Sequence, residues 1–159
     1  MKKSTDPIAQ LMQEHNEALV QLKLLNKAVN AFRQDGFSGN HFRQIRAALR
    51  FIEKEVSVHN QKEEKALFPV LERYVEGPTR IMRNDHIQLR RGFVQLSGAI
   101  RAVERNRDSF RAIQKLSAIA HEVVQRFVNH IHKENYILFP LVQKFLSKDE
   151  LREIAKKML

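Results

Sequence analysis

The sequence predicts an all-α fold: an up-down-up-down four-helix bundle made of two copies of one helical hairpin, with a short C-terminal helix. Three observations carry that expectation. Only 5 Gly and 4 Pro punctuate 159 residues, too few for the many turns of a β-sandwich or barrel. Four long stretches place apolar residues at alternating steps of three and four, the period of an amphipathic helix. Short breaker segments join them, which makes consecutive helices antiparallel neighbours. With 43% apolar residues there is a core to bury, so a formal net charge of +10 does not read as disorder. The length suits one domain over 1–159.

The first stretch opens with Thr5, Asp6 and Pro7, an N-cap candidate followed by proline in the first turn. It runs to about Gln34 and sets Ile8, Leu11, His15, Leu19, Leu22 and Val29 on one face. Asp35-Gly36-Phe37-Ser38-Gly39 ends it. From about Asn40 a second stretch carries Ile45, Leu49, Ile52, Val56, His59, Glu63, Leu67 and Val70, and Pro69 is expected to kink or restart it. Gly77-Pro78 breaks the chain before a third stretch with Met82, His86, Leu89, Phe93, Leu96, Ile100 and Val103. After a turn at Asn106 to Asp108, the fourth carries Ile113, Leu116, Ala120, Val123, Phe127, His130, Glu134, Leu138 and Leu141, with Pro140 placed as Pro69 is. Phe68 and Phe139 are expected to anchor the ends of the second and fourth helices. Ser147-Lys148-Asp149-Glu150 reads as a capping box that opens a helix within 147–159.

Composition narrows the chemistry. There is no cysteine, which excludes disulfides, thiolate metal sites and cysteine nucleophiles and leaves 7 histidines as the main soft ligands. Met1 to Pro7 carries Lys2, Lys3 and Asp6 and leads into a polar amphipathic run, so no secretory signal is visible and a cytoplasmic location is expected. No stretch approaches the ~20 apolar residues of a membrane-spanning helix.

His15, His59, Glu63, His86, His130 and Glu134 occupy stripe positions that the helical pattern reserves for Leu or Val. Shifting the chain on itself by 71 residues lays His15 on His86, His59 on His130 and Glu63 on Glu134. Glu14 falls on Asp85, and Leu67-Phe68-Pro69 on Leu138-Phe139-Pro140. The chain therefore reads as two repeats, 5–76 and 77–146, each giving one His from its first helix and a His-x-x-x-Glu from its second. Four residues apart, His59 and Glu63 differ by only ~40° around the helix and ~6 Å along it. His15 and His59 lie about equally far from the first turn, near residue 37, which sets them level on antiparallel helices. The second hairpin behaves alike about residue 107, so four imidazoles and two carboxylates converge at one height.

Two buried carboxylates repel unless something positive lies between them. Two metal ions, each held by two His and bridged by both Glu, satisfy the set. One inward His, or one His-x-x-x-Glu pair, would read as a hydrogen-bonded core histidine or a surface ion pair; duplication in register reverses that preference. Nitrogen and carboxylate donors suit iron or manganese, and also zinc. About two positions per octahedral ion stay open. His121 and His132 point ~160–180° away from the core face, and His41 lies ~27 Å along the helix from His59, so these three are bystanders. Tyr136 is off the Glu134 face.

These motifs, with His15 on a first helix, His59-x-x-x-Glu63 before Leu67-Phe68-Pro69, His86 on a third helix and His130-x-x-x-Glu134 before Leu138-Phe139-Pro140, resemble hemerythrin-like proteins with the HHE cation-binding domain. The resemblance covers about Ile8 to Leu146. It implies two iron ions with an oxo or hydroxo bridge, manganese or a mixed pair being the variants, held by His15, His59, Glu63, His86, His130 and Glu134. It also implies a small ligand: dioxygen, nitric oxide or peroxide, taken up for sensing, storage or detoxification. A redox enzyme on the same site, peroxidase-like, catalase-like or reducing nitric oxide, is the alternative, followed by an iron-homeostasis role or a basic macromolecule-binding bundle with structural metal. Two departures bear on this. Arg90 stands where oxygen carriers have a further histidine, and Glu134 follows His130 by four residues where carriers have an aspartate at five. Without that histidine both ions are expected to be open, which favours redox turnover or nitric oxide over clean transport; water or Glu64 could fill the place. Relatives that repair iron–sulfur centres carry a small cysteine-bearing domain ahead of the bundle, so that role is not favoured for a cysteine-free sequence.

Arg80, Arg83, Arg90, Arg91, Arg101, Arg105, Arg107 and Arg111 crowd the segment 80–111 against Asp85, Glu104 and Asp108. Nucleic acid or an acidic partner could use such a patch. A solvated helix face is preferred, because no groove-reading motif accompanies the charge.

Overall fold

The structure, a computed structural model, describes residues 6–159; the Thr5 cap candidate and Lys2 and Lys3 lie outside them. Five helices follow in order: α1 (Pro7–Asp35), α2 (39–71), α3 (Pro78–Arg105), α4 (110–145) and α5 (Lys148–Lys157). No strand occurs among the described residues. Local chemistry sets the ends. Asp6 caps α1, its Oδ1 accepting the Ile8 amide at 2.9 Å ahead of Pro7. Ser109 caps α4 through the Ala112 amide at 3.1 Å. Ser147 and Glu150 form the expected capping box of α5. Gly36 ends α1 at φ 82°, where a Cβ would crowd the following carbonyl.

α2 and α4 run unbroken past Pro69 and Pro140, so neither proline restarts its helix. Just before each proline the helix widens into a π turn, Glu63–Leu67 in α2 and Glu134–Leu138 in α4. Proline has no N–H, and its ring collides with the carbonyl four residues back in a regular α-helix. A π turn relieves both constraints. The Phe68 amide reaches Glu63 O and the Phe139 amide reaches Glu134 O, one residue further back than in an α-helix. Glu64 O, which residue 69 would meet in that register, receives the Arg83 guanidinium at 3.5 Å. A third π turn at Ile52–Val56 has no counterpart in the other hairpin, where 123–127 is regular helix.

The apolar core falls into two parts. One runs from Ala18 to Phe32 in α1 and includes Ile45, Leu96 and Leu116; the other, at the α5 end, joins Ile8, Leu11, Leu67, Phe68, Phe139 and Ile154. Between them lies the layer of His15, His59, Glu63, His86, His130 and Glu134, all buried. The seams between helices are unequal. α1 packs along α2 and α4, and α3 along α4, with Gly92 letting α3 approach Val123. α2 and α3 stand apart. Their seam holds a cavity of about 490 Å³ that reaches His86 past Arg90, Glu53, Asn60, Gln61 and Glu64. Beside His15 and His59 the space is only about 70 Å³.

Candidate metal centre

Each hairpin delivers its side chains as the helical spacing predicts. His59 and Glu63 share one face of α2, His130 and Glu134 one face of α4, and the π turns begin at the two glutamates. Two interlocking groups result: His15, His59, Glu63 and Glu134, and then Glu63, His86, His130 and Glu134, with the donor atoms of each group within 4.8 Å of one another. Both glutamates belong to both groups. Glu63 Oε1 lies 3.2 Å from His59 Nε2 and 3.4 Å from His86 Nε2. Glu134 Oε1 lies 3.1 Å from His15 Nε2 and 3.0 Å from His130 Nε2. Each carboxylate thus spans one histidine from each hairpin.

The outer nitrogens determine what the inner ones can do. His59 Nδ1 faces Glu14 Oε1 at 2.9 Å, and His130 Nδ1 faces Asp85 Oδ2 at 3.0 Å. His86 Nδ1 faces Glu64 Oε1 at 2.9 Å, and His15 Nδ1 faces Asn135 Oδ1 at 2.7 Å. These partners are acceptors, so all four Nδ1 atoms donate outward. In the neutral rings every Nε2 then carries a lone pair directed inward. His15 Nε2 and His59 Nε2 stand 3.1 Å apart, and no hydrogen is available between two neutral rings in these tautomers. Both oxygens of Glu63, Glu134 Oε2, His86 Nε2 and His130 Nε2 are buried without a hydrogen-bond partner. A metal-free centre can only answer by taking up protons. Burial opposes charge on His130, yet Glu134 and the bond to Asp85 push it up to about 9. Burial likewise opposes charge on His59, which Glu63, Glu134 and Glu14 raise well above the usual imidazole range. Glu134 is held well below the usual carboxylate range: burial would raise it, but Glu63, His130 and His15 outweigh that. A cation of higher charge would meet the same carboxylates and all four lone pairs at once.

The surroundings repeat with the same shift of 71 residues. Lys62 contacts Glu14 at 2.7 Å, and Lys133 contacts Asp85. Burial would raise Glu14, but the bonds from His59 and Lys62 lower it to about 2. Phe139 stacks on His15 with centroids 5.5 Å apart, and Phe68 on His86 at 5.9 Å, as end anchors that also press on the rings. Glu64 and Asn135 hold equivalent places, so this outer pair joins a carboxylate to an amide, whereas Glu14 and Asp85 are both carboxylates. Sequence reasoning missed Asn135, Lys62 and Lys133; Lys62 falling on Lys133 under the same shift was the available signal. Glu64, which the sequence offers as a donor for an open position, turns instead to Nδ1 of His86. His121 and His132 are exposed, and His41 sits edge-on to Phe32 at 6.5 Å, away from the layer. Tyr136 is 75% exposed and stands against His132.

A family model for the hemerythrin HHE cation-binding domain matches residues 6–142. The chain belongs to the hemerythrin HHE family. Within it, the chain is similar to iron-sulfur cluster repair proteins YtfE. That of Musicola paradisiaca (strain Ech703) is 28% identical over 130 residues, 79% of this chain and 58% of that protein. That of Yersinia pestis (strain Pestoides F) is 29% identical over 140 residues, 84% of this chain and 61% of that protein. The YtfE of Yersinia pseudotuberculosis serotype IB (strain PB1/+) is 27% identical over 137 residues, 84% of this chain and 61% of that protein. This HHE chain thus spans about three fifths of the length of these relatives. Among its described residues, no helix is long and apolar enough to cross a membrane.

Proposed function

We propose that this HHE chain is a non-haem di-iron protein whose centre takes dioxygen, nitric oxide or peroxide. His15 and His59 would hold one iron, His86 and His130 the other, and Glu63 and Glu134 would be shared. The observation that carries the reading is the outward commitment of all four Nδ1–H groups, which turns four inward lone pairs toward two fully buried carboxylates. When bound, the iron pair supplies one-electron redox steps and open positions for a small ligand. The protein's part is to fix ring orientation through Glu14, Glu64, Asp85 and Asn135, and to keep bulk water off the layer with an apolar core on each side. The α2/α3 seam gives a small ligand a path to the His86 half, and unpaired Arg90 at its mouth favours a polar or anionic visitor. Metal analysis and the near-ultraviolet spectrum of aerobically purified protein test the reading. Two irons per chain with oxygen-bridged ferric bands are expected; a chain that loads only zinc, or no metal, overturns it. Peroxide consumption and nitric oxide turnover then separate an enzyme from a binding protein.

The names of its relatives favour a second role for the same centre, in the repair of iron–sulfur clusters. Recovery of a cluster-dependent dehydratase after oxidative damage would increase when iron-loaded protein, but not zinc-loaded protein, is added.

A further inference from the structure

The strongest feature that the metal centre leaves unexplained lies at the other end of the bundle. A cleft of about 740 Å³ runs between the C-terminal turns of α1 and the N-terminal half of α4, lined by Asn30, Arg33, Arg111, Gln114, Lys115 and His121 among others. No carboxylate lines it. Among the described residues, Arg33, Arg111, Lys115 and His121 are exposed and have no ion-pair or hydrogen-bond partner, as is also true of Arg80, Arg90 and Arg101 elsewhere. The cleft shares Arg33 with a second one of about 380 Å³, lined by Phe37, Arg107, Asp108 and Phe110. There Phe110 is 66% exposed, and the Arg107 guanidinium lies over the Phe37 ring at 4.8 Å. The fold thereby brings an exposed aromatic ring to a charge cluster that the linear sequence spreads over two helices and the turn before the second.

We infer that these two clefts form one binding track for single-stranded nucleic acid. From Arg111 to His121 the track extends ~15 Å along α4, room for a few successive phosphates against Arg33, Arg111 and Lys115. An unpaired base would stack on Phe110, while Phe37, half-buried against Phe32 and Phe42 and covered by Arg107, fixes that guanidinium beside it; an exposed ring next to a guanidinium group is the platform by which single strands are held without sequence preference. Asp108 in the second cleft, Asp35 two residues from Arg33, and Glu122 beside His121 are the acids nearby; Glu122 is engaged by Arg126 at 2.9 Å. The stacking requirement selects a single strand over a duplex, whose bases are paired, and over an acidic peptide, which offers charge alone. His121 lies nine residues from His130, ~13 Å along the helix, so the track does not depend on the metal reading.

Fluorescence anisotropy of a labelled twelve-nucleotide oligothymidylate with the purified full chain tests the inference. The triple substitution Arg33→Ala, Arg111→Ala, Lys115→Ala should weaken binding at least tenfold, and flatten the slope of log affinity against log salt by about 2, given ~0.7 per phosphate contact. A charge-matched control, Arg80→Ala, Lys148→Ala, Lys156→Ala at the opposite end, should change affinity less than threefold. Phe110→Ala should weaken binding about fivefold or more at unchanged salt slope, and Phe110→Trp should restore it. All substituted side chains are exposed, and circular dichroism verifies the fold of each variant. The inference is overturned if the control loses as much as the cleft variant, if Phe110→Ala binds as wild type, or if no binding occurs at 50 mM salt. Equal affinity for a duplex of the same length or for an oligoglutamate peptide overturns it as well.

Discussion

At the scale of single residues, the centre is governed by which nitrogen of each imidazole holds its hydrogen. Asp85 and Glu14 fix this for His130 and His59, and removing one should act through the ring it orients. Asp85→Asn is expected to lower metal affinity ~10–100-fold while helicity stays intact, measured by competition with a chelator of known affinity. Glu63→Gln or Glu134→Gln removes a charge that both ions of the proposed pair would share. Each should reduce loading from two metals to one or none per chain by elemental analysis; two metals retained would refute the sharing of the carboxylates. The six inward residues were legible in the sequence because they break an otherwise apolar period and do so twice at one shift. Their outer partners were not. Glu14 and Glu64 adjoin His15 and Glu63 in sequence, yet they serve His59 and His86 on neighbouring helices, and no periodicity within one helix encodes which ring an adjacent carboxylate will meet.

At the scale of elements, caps and turns followed sequence chemistry closely, while the π turns escaped it. One wide turn adds a single residue, and over five residues its period cannot be told from that of an α-helix; only the proline six places after each glutamate hinted at a disturbance. Gly36 is different, since its φ of 82° requires glycine. Gly36→Ala should cost about 1–2 kcal/mol in denaturant unfolding, with spectra otherwise unchanged. α5 offers a pH test. The Glu150 carboxylate is held below its ordinary 4.5 by the Ser147 amide and then by Tyr74. A depressed carboxylate stabilises the fold above its unfolded pKa and loses that contribution as pH falls through the folded value. The Ser147 amide resonance should therefore titrate below pH 4.5, and Ser147→Ala should open α5 locally at a cost of about 1 kcal/mol, read by amide exchange.

At the scale of the whole molecule, a layer of ionisable groups divides one bundle into two apolar cores. An ion bound there adds stability by mass action to the folded state alone. Stripping the metal should lower the melting temperature, and amide protection should fall first around Ile8, Leu71 and Ile154, in the smaller core, before it falls around Ile45 and Leu116. The bundle itself was readable from composition and period, since scarce glycine and proline and four apolar stripes leave few alternatives. The unequal seams were not readable, because the two hairpins are equivalent in the string wherever the ligands lie. The inequality arises from particular exchanges under the 71-residue shift: Val56 against Phe127, Arg90 against Leu19, and a π turn against a regular one.

The 71-residue correspondence relates two helix-to-helix boundaries between the hairpins, α1 with α4 and α2 with α3. One of the two is closely packed, and the other holds the cavity that reaches His86. An inherited symmetry of ligands thereby coexists with a broken symmetry of traffic: whatever leaves or joins the centre should do so in a fixed order, with the His86–His130 half exchanging first and the His15–His59 half retained longest.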